Sequence, residues 1–137
     1  MSLTSVVHDR LTAHAGLTAL VGTRTYGGHQ LAQDVTYPCV GFGIVSETVD
    51  HCMGVDSPLT HARVQLTAYA LGYHEARTIA TQVRAALDRW TASSGGTVVQ
   101  DTLREDGSGF DVFDEDLGNE GAWRVVDDFM VHGTGFG

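Results

Sequence analysis

The 137-residue chain has no lysine, two prolines, two cysteines and no apolar run long enough to cross a bilayer. Each scarcity excludes something. Without lysine there can be no GxxxxGK[ST] phosphate loop. With eight arginines against 17 acidic residues, a formal net charge of -9, the chain also lacks the clustered cations of a phosphate-binding surface. Cys39 and Cys52 form neither a CxxC pair nor part of a dense framework, so they read as reduced thiols of a protein made in the cytosol. A membrane span needs about 18 consecutive apolar residues, and Met1-Ser2-Leu3-Thr4-Ser5 has no basic segment leading into an apolar core. The expectation is a soluble protein with no secretory signal and no membrane partner.

What is present fits one folded unit. At 42 % apolar and 18 % charged residues, the chain reads as a single domain over 1–137. A chain of this size buries roughly two-thirds of its unfolded surface, so no disulfide or structural metal is required for stability. The charge is local: between Asp101 and Asp128 ten carboxylates face only Arg104 and Arg124, and the rest of the chain is nearly neutral.

Ser2 or Thr4 can cap a first helix carrying Leu3, Val6, Val7 and Leu11 at helical spacing, with Gly16 as its stop and Leu17 to Val21 as a continuation. Tyr37 to Thr48 reads as a strand and His51 to Pro58 as a loop. In the strand from His61 to Ala70, Ala62, Val64, Leu66, Ala68 and Ala70 alternate with Arg63, Gln65, Thr67 and Tyr69. The spacing of Ala76, Ile79, Ala80, Val83, Leu87 and Trp90 predicts a long helix from about Tyr73 to Thr91, ended by Ser93-Ser94-Gly95-Gly96. A strand from Thr97 to Arg104, an acidic loop from Glu105 to Gly121 and a last strand from Ala122 to His132 follow. The latter carries Trp123, Val125, Asp127, Phe129 and Val131 on one face, and residues 133–137 read as a flexible tail. The fold class is α+β: an antiparallel sheet with the long helix and the N-terminal helix packed on one face.

Chemistry is sparse. His8 and His14 are six apart, not the three or four of a helical ligand pair. Asp50-His51-Cys52, with His61, is the clustered set of metal-ligand types, but its spacing is unlike that of zinc sites and a solvated hairpin tip explains it. His74-Glu75 opens like a zinc-protease helix, yet Thr78 stands where the second histidine is needed. Gly41-Phe42-Gly43 and Gly95-Gly96 are too sparse to cradle phosphates. The carboxylates from Asp106 to Asp116 miss the alternate-position pattern of an EF-hand and read as a self-repelling loop. Ser57 and Ser108 become nucleophiles only beside a base. No cofactor and no metal site is expected. Phe42, Tyr69, Trp90, Trp123 and Phe129 read as core aromatics.

Leu17-Thr-Ala-Leu-Val-Gly-Thr-Arg-Thr-Tyr26, Tyr37-Pro-Cys-Val-Gly-Phe42, Ala62-Arg-Val-Gln-Leu-Thr-Ala-Tyr69, Glu75-Ala-Arg77, Val83-Arg-Ala-Ala-Leu87 and Arg124-Val-Val-Asp-Asp-Phe-Met-Val131, in that order, are similar to one family. From about Leu3 to His132 the chain resembles the tail-completion or tail-terminator proteins of long-tailed phages and gene transfer agents. It departs from them at Gly27-Gly28, where relatives carry proline, and in a longer acidic stretch from Glu105 to Glu120.

The resemblance implies a non-enzymatic virion protein at the tail–neck junction, assembled in the host cytoplasm as a homo-oligomeric ring, a hexamer. Its partners would be the tail tube protein and a head-completion or connector protein, with DNA passing through unbound. Such a ring closes through two different complementary patches. The candidates for the subunit interface are Arg63, Gln65 and Tyr69 on a polar strand face, with Asp50, His51 and Asp56 in the loop beside it. Asp111, Asp114, Glu115 and Asp116 are candidates to line the channel, where an anionic wall would repel DNA. A head-completion adaptor and a small metal-dependent hydrolase are the alternative readings.

Overall fold

The computed structural model describes residues 3–27, 37–52, 55–105, 110–114, 121–134 and 136. Helix α1 (Leu3–Ala13) buries Leu3, Val6, Val7 and Leu11, the stripe its spacing predicts. It ends at His14, whose extended backbone separates it from α2 (Ala15–Val21), so Gly16 lies in the first turn of α2 instead of stopping α1. Helix α3 (Tyr73–Leu87) buries Ala76, Ile79, Ala80, Val83, Ala86 and Leu87.

Helix α3 stops four residues before the expected end. Asp88 leaves helical backbone and Arg89 takes φ 61°. The backbone groups thereby freed go to the sheet: Arg89 N–H donates to the Thr102 carbonyl at 2.8 Å, and Thr102 Oγ1 donates to the Trp90 carbonyl at 3.0 Å. Ser93-Ser94-Gly95-Gly96 is consequently a hairpin and not a helix stop. β4 (Ala92–Ser94) pairs with β5 (Thr97–Arg104) across Gly95 and Gly96, both at positive φ, which a two-residue turn matching strand twist requires.

The remaining strands are β1 (Thr25–Gly27), β2 (Cys39–Cys52), β3 (Val55–Ala70), β6 (Phe110–Asp114) and β7 (Ala122–Thr134). The sheet runs β1-β2-β3-β7-β5-β4, and β6 also pairs with β7. β5 lies along Phe129–Thr134 and β6 along Ala122–Val126. The class is α+β as expected, but the sheet is mixed: β1, three residues and too short to show a period, runs parallel to β2. β6 likewise falls inside the stretch expected to be an acidic loop, where five residues between acids and glycines carry too little alternation to read.

Val64, Leu66, Val125, Phe129 and Val131 form the core face beneath the helices. The opposite face is also shielded: Thr67, Tyr69, Val126 and Asp128 are buried. Tyr69, read from the sequence both as a core aromatic and as part of the polar strand face, is 7 % exposed, in line with the first reading, and its ring lies 6.5 Å from that of Tyr37.

Amid the core face sits Asp127, opposite Leu66 and 1 % exposed. Arg84 from α3 holds it with Nε on Oδ2 and Nη2 on Oδ1, both at 3.1 Å, and Arg104 from β5 donates Nε to Oδ1 at 3.1 Å. The C-terminal segment is tied down too, contrary to the expected flexible tail. Gly133 and Thr134 complete β7, Phe136 is buried in the core, and the Phe136 carbonyl accepts from Leu3 N–H at 3.4 Å. Only glycine fits at 133, since a Cβ there would lie 1.9 Å from the Val98 carbonyl oxygen and 2.9 Å from the Phe136 ring. No described helix is long and apolar enough to cross a membrane.

Two outcomes follow from this packing. Asp127→Ala removes the buried acceptor shared by Arg84 and Arg104 and, since both arginines stay partly in water, should lower stability by about 2–3 kcal/mol, read from urea unfolding. Cys39 is a free, buried thiol whose burial, partly offset by Arg24, pushes its pKa from 9.0 up to about 11. Above the unfolded value the denatured chain loses its proton first, so stability is full below pH 9 and falls towards pH 11. The loss is about 2–3 kcal/mol across that window and is absent from Cys39→Ala, as unfolding midpoints at about pH 8 and about pH 10.5 would show.

Candidate assembly surface

The β2–β3 hairpin is longer than the body it belongs to. β7 joins β3 only from Thr60 onward, and β1 joins β2 only over Val40–Phe42. Between these limits and the tip, with Val49 opposite Thr60, His51 opposite Asp56 and Cys52 opposite Val55, the two strands pair only with each other among the described residues. Of the segment expected to be a loop from His51 to Pro58, residues 51–52 and 55–58 are thus strand, a ribbon extending about 10 Å past the sheet. The register shift at Ile44/Ser46 bulges β2, where Val45 is 56 % exposed, and the one at Val49/His51 places the extra residues on β3. Bulges of this kind make a strand edge resist indiscriminate pairing.

Of the expected interface residues, Asp50, His51 and Asp56 lie in this ribbon, their side chains outside the described set. Arg63 and Gln65 stand on the sheet face away from the helices, and Arg63 is occupied. Its Nη2 and Nε reach Asp128 Oδ2 at 2.5 and 3.1 Å, a bond that holds the guanidinium firmly protonated. Tyr69 is buried beside them and offers no contact surface.

The acidic candidates separate as well. Asp111 on β6 accepts from Tyr73 Oη at 3.0 Å and pairs with Arg77 Nη2 at 3.2 Å, both from α3. Its Oδ1 has no partner among the described residues. Asp114 ends β6, with its side chain outside the described set, and Glu115 and Asp116 lie outside the described residues altogether.

No group of three or more His, Cys, Asp or Glu able to hold a metal occurs among the described residues. His61, grouped with Asp50-His51-Cys52 by sequence, instead meets His132 across β3 and β7, Nδ1 to Nδ1. His74 packs its ring 5.6 Å from that of Tyr73 in the first turn of α3. Sequence reasoning missed one feature, an exposed corner of Leu71, Tyr73 and Phe113 around Trp123. Phe113 joins the other three only because β6 pairs with β7, and no local pattern marks that.

The described residues thus form an acidic α+β fold with a projecting strand pair and an exposed aromatic corner. The profile of the family Tail completion protein gp17 matches residues 5–127, and the chain belongs to that family. Its role is structural, in the completion of a phage tail. In fold it is similar to a solved chain from the virion of a native gene transfer agent (GTA) particle. The TM-score is 0.73 at 17 % identity, covering 98 % of this chain and 96 % of that one. No curated protein matches the sequence.

Because the ribbon's strands pair only with each other among the described residues, its amides should exchange with deuterium about 100-fold faster or more at residues 49–52 and 55–57 than at 62–69, where β3 is paired on both sides. Hydrogen-exchange mass spectrometry reads this directly.

Proposed function

We propose that the chain is a ring-forming tail terminator, a hexamer that caps the finished tail tube, joins it to the connector at the neck of the virion and leaves a channel for DNA. The observation that carries this reading is the projecting β2–β3 ribbon, paired with no further strand among the described residues, in a chain of the tail-completion family. A two-stranded ribbon is marginal in water by itself, and a neighbouring subunit would supply the third strand or the packing face it lacks. The patch that receives it must differ from the ribbon, which makes the contact heterologous and lets copies close into a ring. Similarity in fold to a chain of a gene transfer agent virion supports a place in such a particle.

The charge distribution fits a channel that DNA traverses without binding. The described arginines are largely spent inside the chain: Arg63 on Asp128, Arg77 on Asp111, Arg84 and Arg104 on Asp127, Arg89 on Asp101, with Arg10 and Arg24 on backbone carbonyls. The surplus is carboxylate. Asp114, Glu115 and Asp116 are proposed to face the channel, with Asp111 anchoring their strand to α3 rather than meeting DNA itself.

Imaging of assembled particles tests the placement: density for this chain as a ring between tube and connector is the expected result, and density on the head side of the joint would make it a head-completion adaptor instead. A stoichiometric metal ion in the purified protein would favour the hydrolase alternative. Replacing Asp114, Glu115 and Asp116 together by their amides should leave particle yield unchanged and slow DNA delivery severalfold, measured by transduction kinetics.

A further inference from the structure

His61 and His132 stand directly opposite each other on β3 and β7, and their Nδ1 atoms meet. The ring centroids are 4.5 Å apart and the planes cross at 83°, so two imidazole edges point at one spot. The two residues are 71 apart in the chain, a separation that no ligand-spacing pattern could have joined. Both are half-buried, on the sheet face away from the helices. Thr48 on β2, opposite His61, carries no charge. Asp101 on β5, opposite His132, accepts from Thr102 N–H at 2.9 Å and lies 3.6 Å from Arg89. Arg63, two residues along β3, is taken by Asp128. The arginines nearest this row are thus each paired with a carboxylate, and the chain's net charge of -9 favours a cation.

Two neutral imidazoles share such a contact only if one Nδ1 donates its proton and the other accepts it. Moving that proton to the far nitrogen of its own ring leaves two lone pairs converging on one point, the donor arrangement that suits a divalent late transition metal ion. Such an ion needs each nitrogen at about 2.0–2.1 Å, hence about 3.3 Å between the nitrogens at a tetrahedral angle, a few tenths of an ångström more than a hydrogen bond spans. Small turns of the two side chains supply that difference. We propose that His61 and His132 clamp one divalent ion of the zinc, nickel or copper kind between β3 and β7. Water completes the coordination, so the ion is held more weakly than in the closed four-ligand sites that fold zinc fingers. Its use is structural: β3 first meets β7 at Thr60, one residue before His61, and the ion fastens the two strands where the ribbon leaves the body. This inference does not depend on the tail reading, and absence of the chain from imaged tails would leave it standing.

The test titrates the purified full-length chain with zinc chloride and with nickel chloride by calorimetry, and follows the imidazole resonances of its seven histidines by NMR as zinc is added. One ion per chain is expected, with the resonances of His61 and His132 shifting together and the others far less. His61→Gln and His132→Gln should each weaken binding about 10-fold or more, since losing even a group that only orients a ligand costs that much. Excess magnesium, which seeks oxygen ligands, should not compete. Binding should weaken as the pH falls from about 7.5 to about 5.5, where imidazole takes up a proton in place of metal. No saturable binding, a site that both variants keep, shifts centred on His51 at the ribbon tip, or displacement by magnesium would each overturn the proposal. An ion that copurifies with the chain bears on the hydrolase alternative only if it survives both substitutions.

Discussion

The carboxylate of Asp127 is the point at which this fold is pinned. It lies on the core face of the central strand β7, where the register opposite Leu66 would ordinarily place an apolar side chain. A lone ion there would cost several kcal/mol of desolvation. Arg84 and Arg104 offset that cost by closing on both oxygens, and their own guanidinium groups stay partly in water, so charge is neutralised without three groups being fully dried. Because the two arginines come from α3 and β5, one carboxylate sets how the long helix lies across the sheet and how β5 meets β7. Hydrophobic burial of Ile79, Val83, Phe129 and Val131 is non-directional and would tolerate several such arrangements; the hydrogen-bonded acid does not.

The same device recurs one element away. Arg77 and Tyr73, nearer the start of α3, take Asp111 on β6 as Arg84 takes Asp127 on β7. A row of polar side chains along one helix thus holds two strands, and the second contact keeps the aromatic corner of Tyr73, Phe113 and Trp123 in place at the surface. Spending arginines this way has a consequence for the exterior. With no lysine to add to them, the arginines that remain at the surface sit beside carboxylates, and the chain as a whole carries a net charge of -9.

The body of the domain and its projecting ribbon differ in how they are stabilised. Within the body, central strands are covered on both faces, and Phe136 and Gly133 seal the C-terminal end against α1 and β5. Beyond Thr60 towards the hairpin tip the β2–β3 pair leaves β7 behind, and among the described residues it is paired by two strands alone. Local stability is accordingly lower in this extension than in the body.

Local periodicity was enough for the sequence to determine the elements that carry strong patterns. The stripe of α1, the alternation of Ala62 to Ala70 and the apolar repeat of α3 are each recorded within a dozen or so neighbouring residues, and the ordered set of segments was enough to mark the family. What lay beyond it were the outcomes of contacts between distant residues. The end of α3 is decided by Thr102, the existence of β6 by the edge β7 presents, and the seating of Thr134 and Phe136 by Val98 and Leu3. Acidic residues looked alike in the sequence, yet one is the buried pin, another anchors a strand, and others remain outside both roles. A side chain's local pattern states which face it prefers; only the folded chain determines which groups, sixty or seventy residues away, are there to meet it.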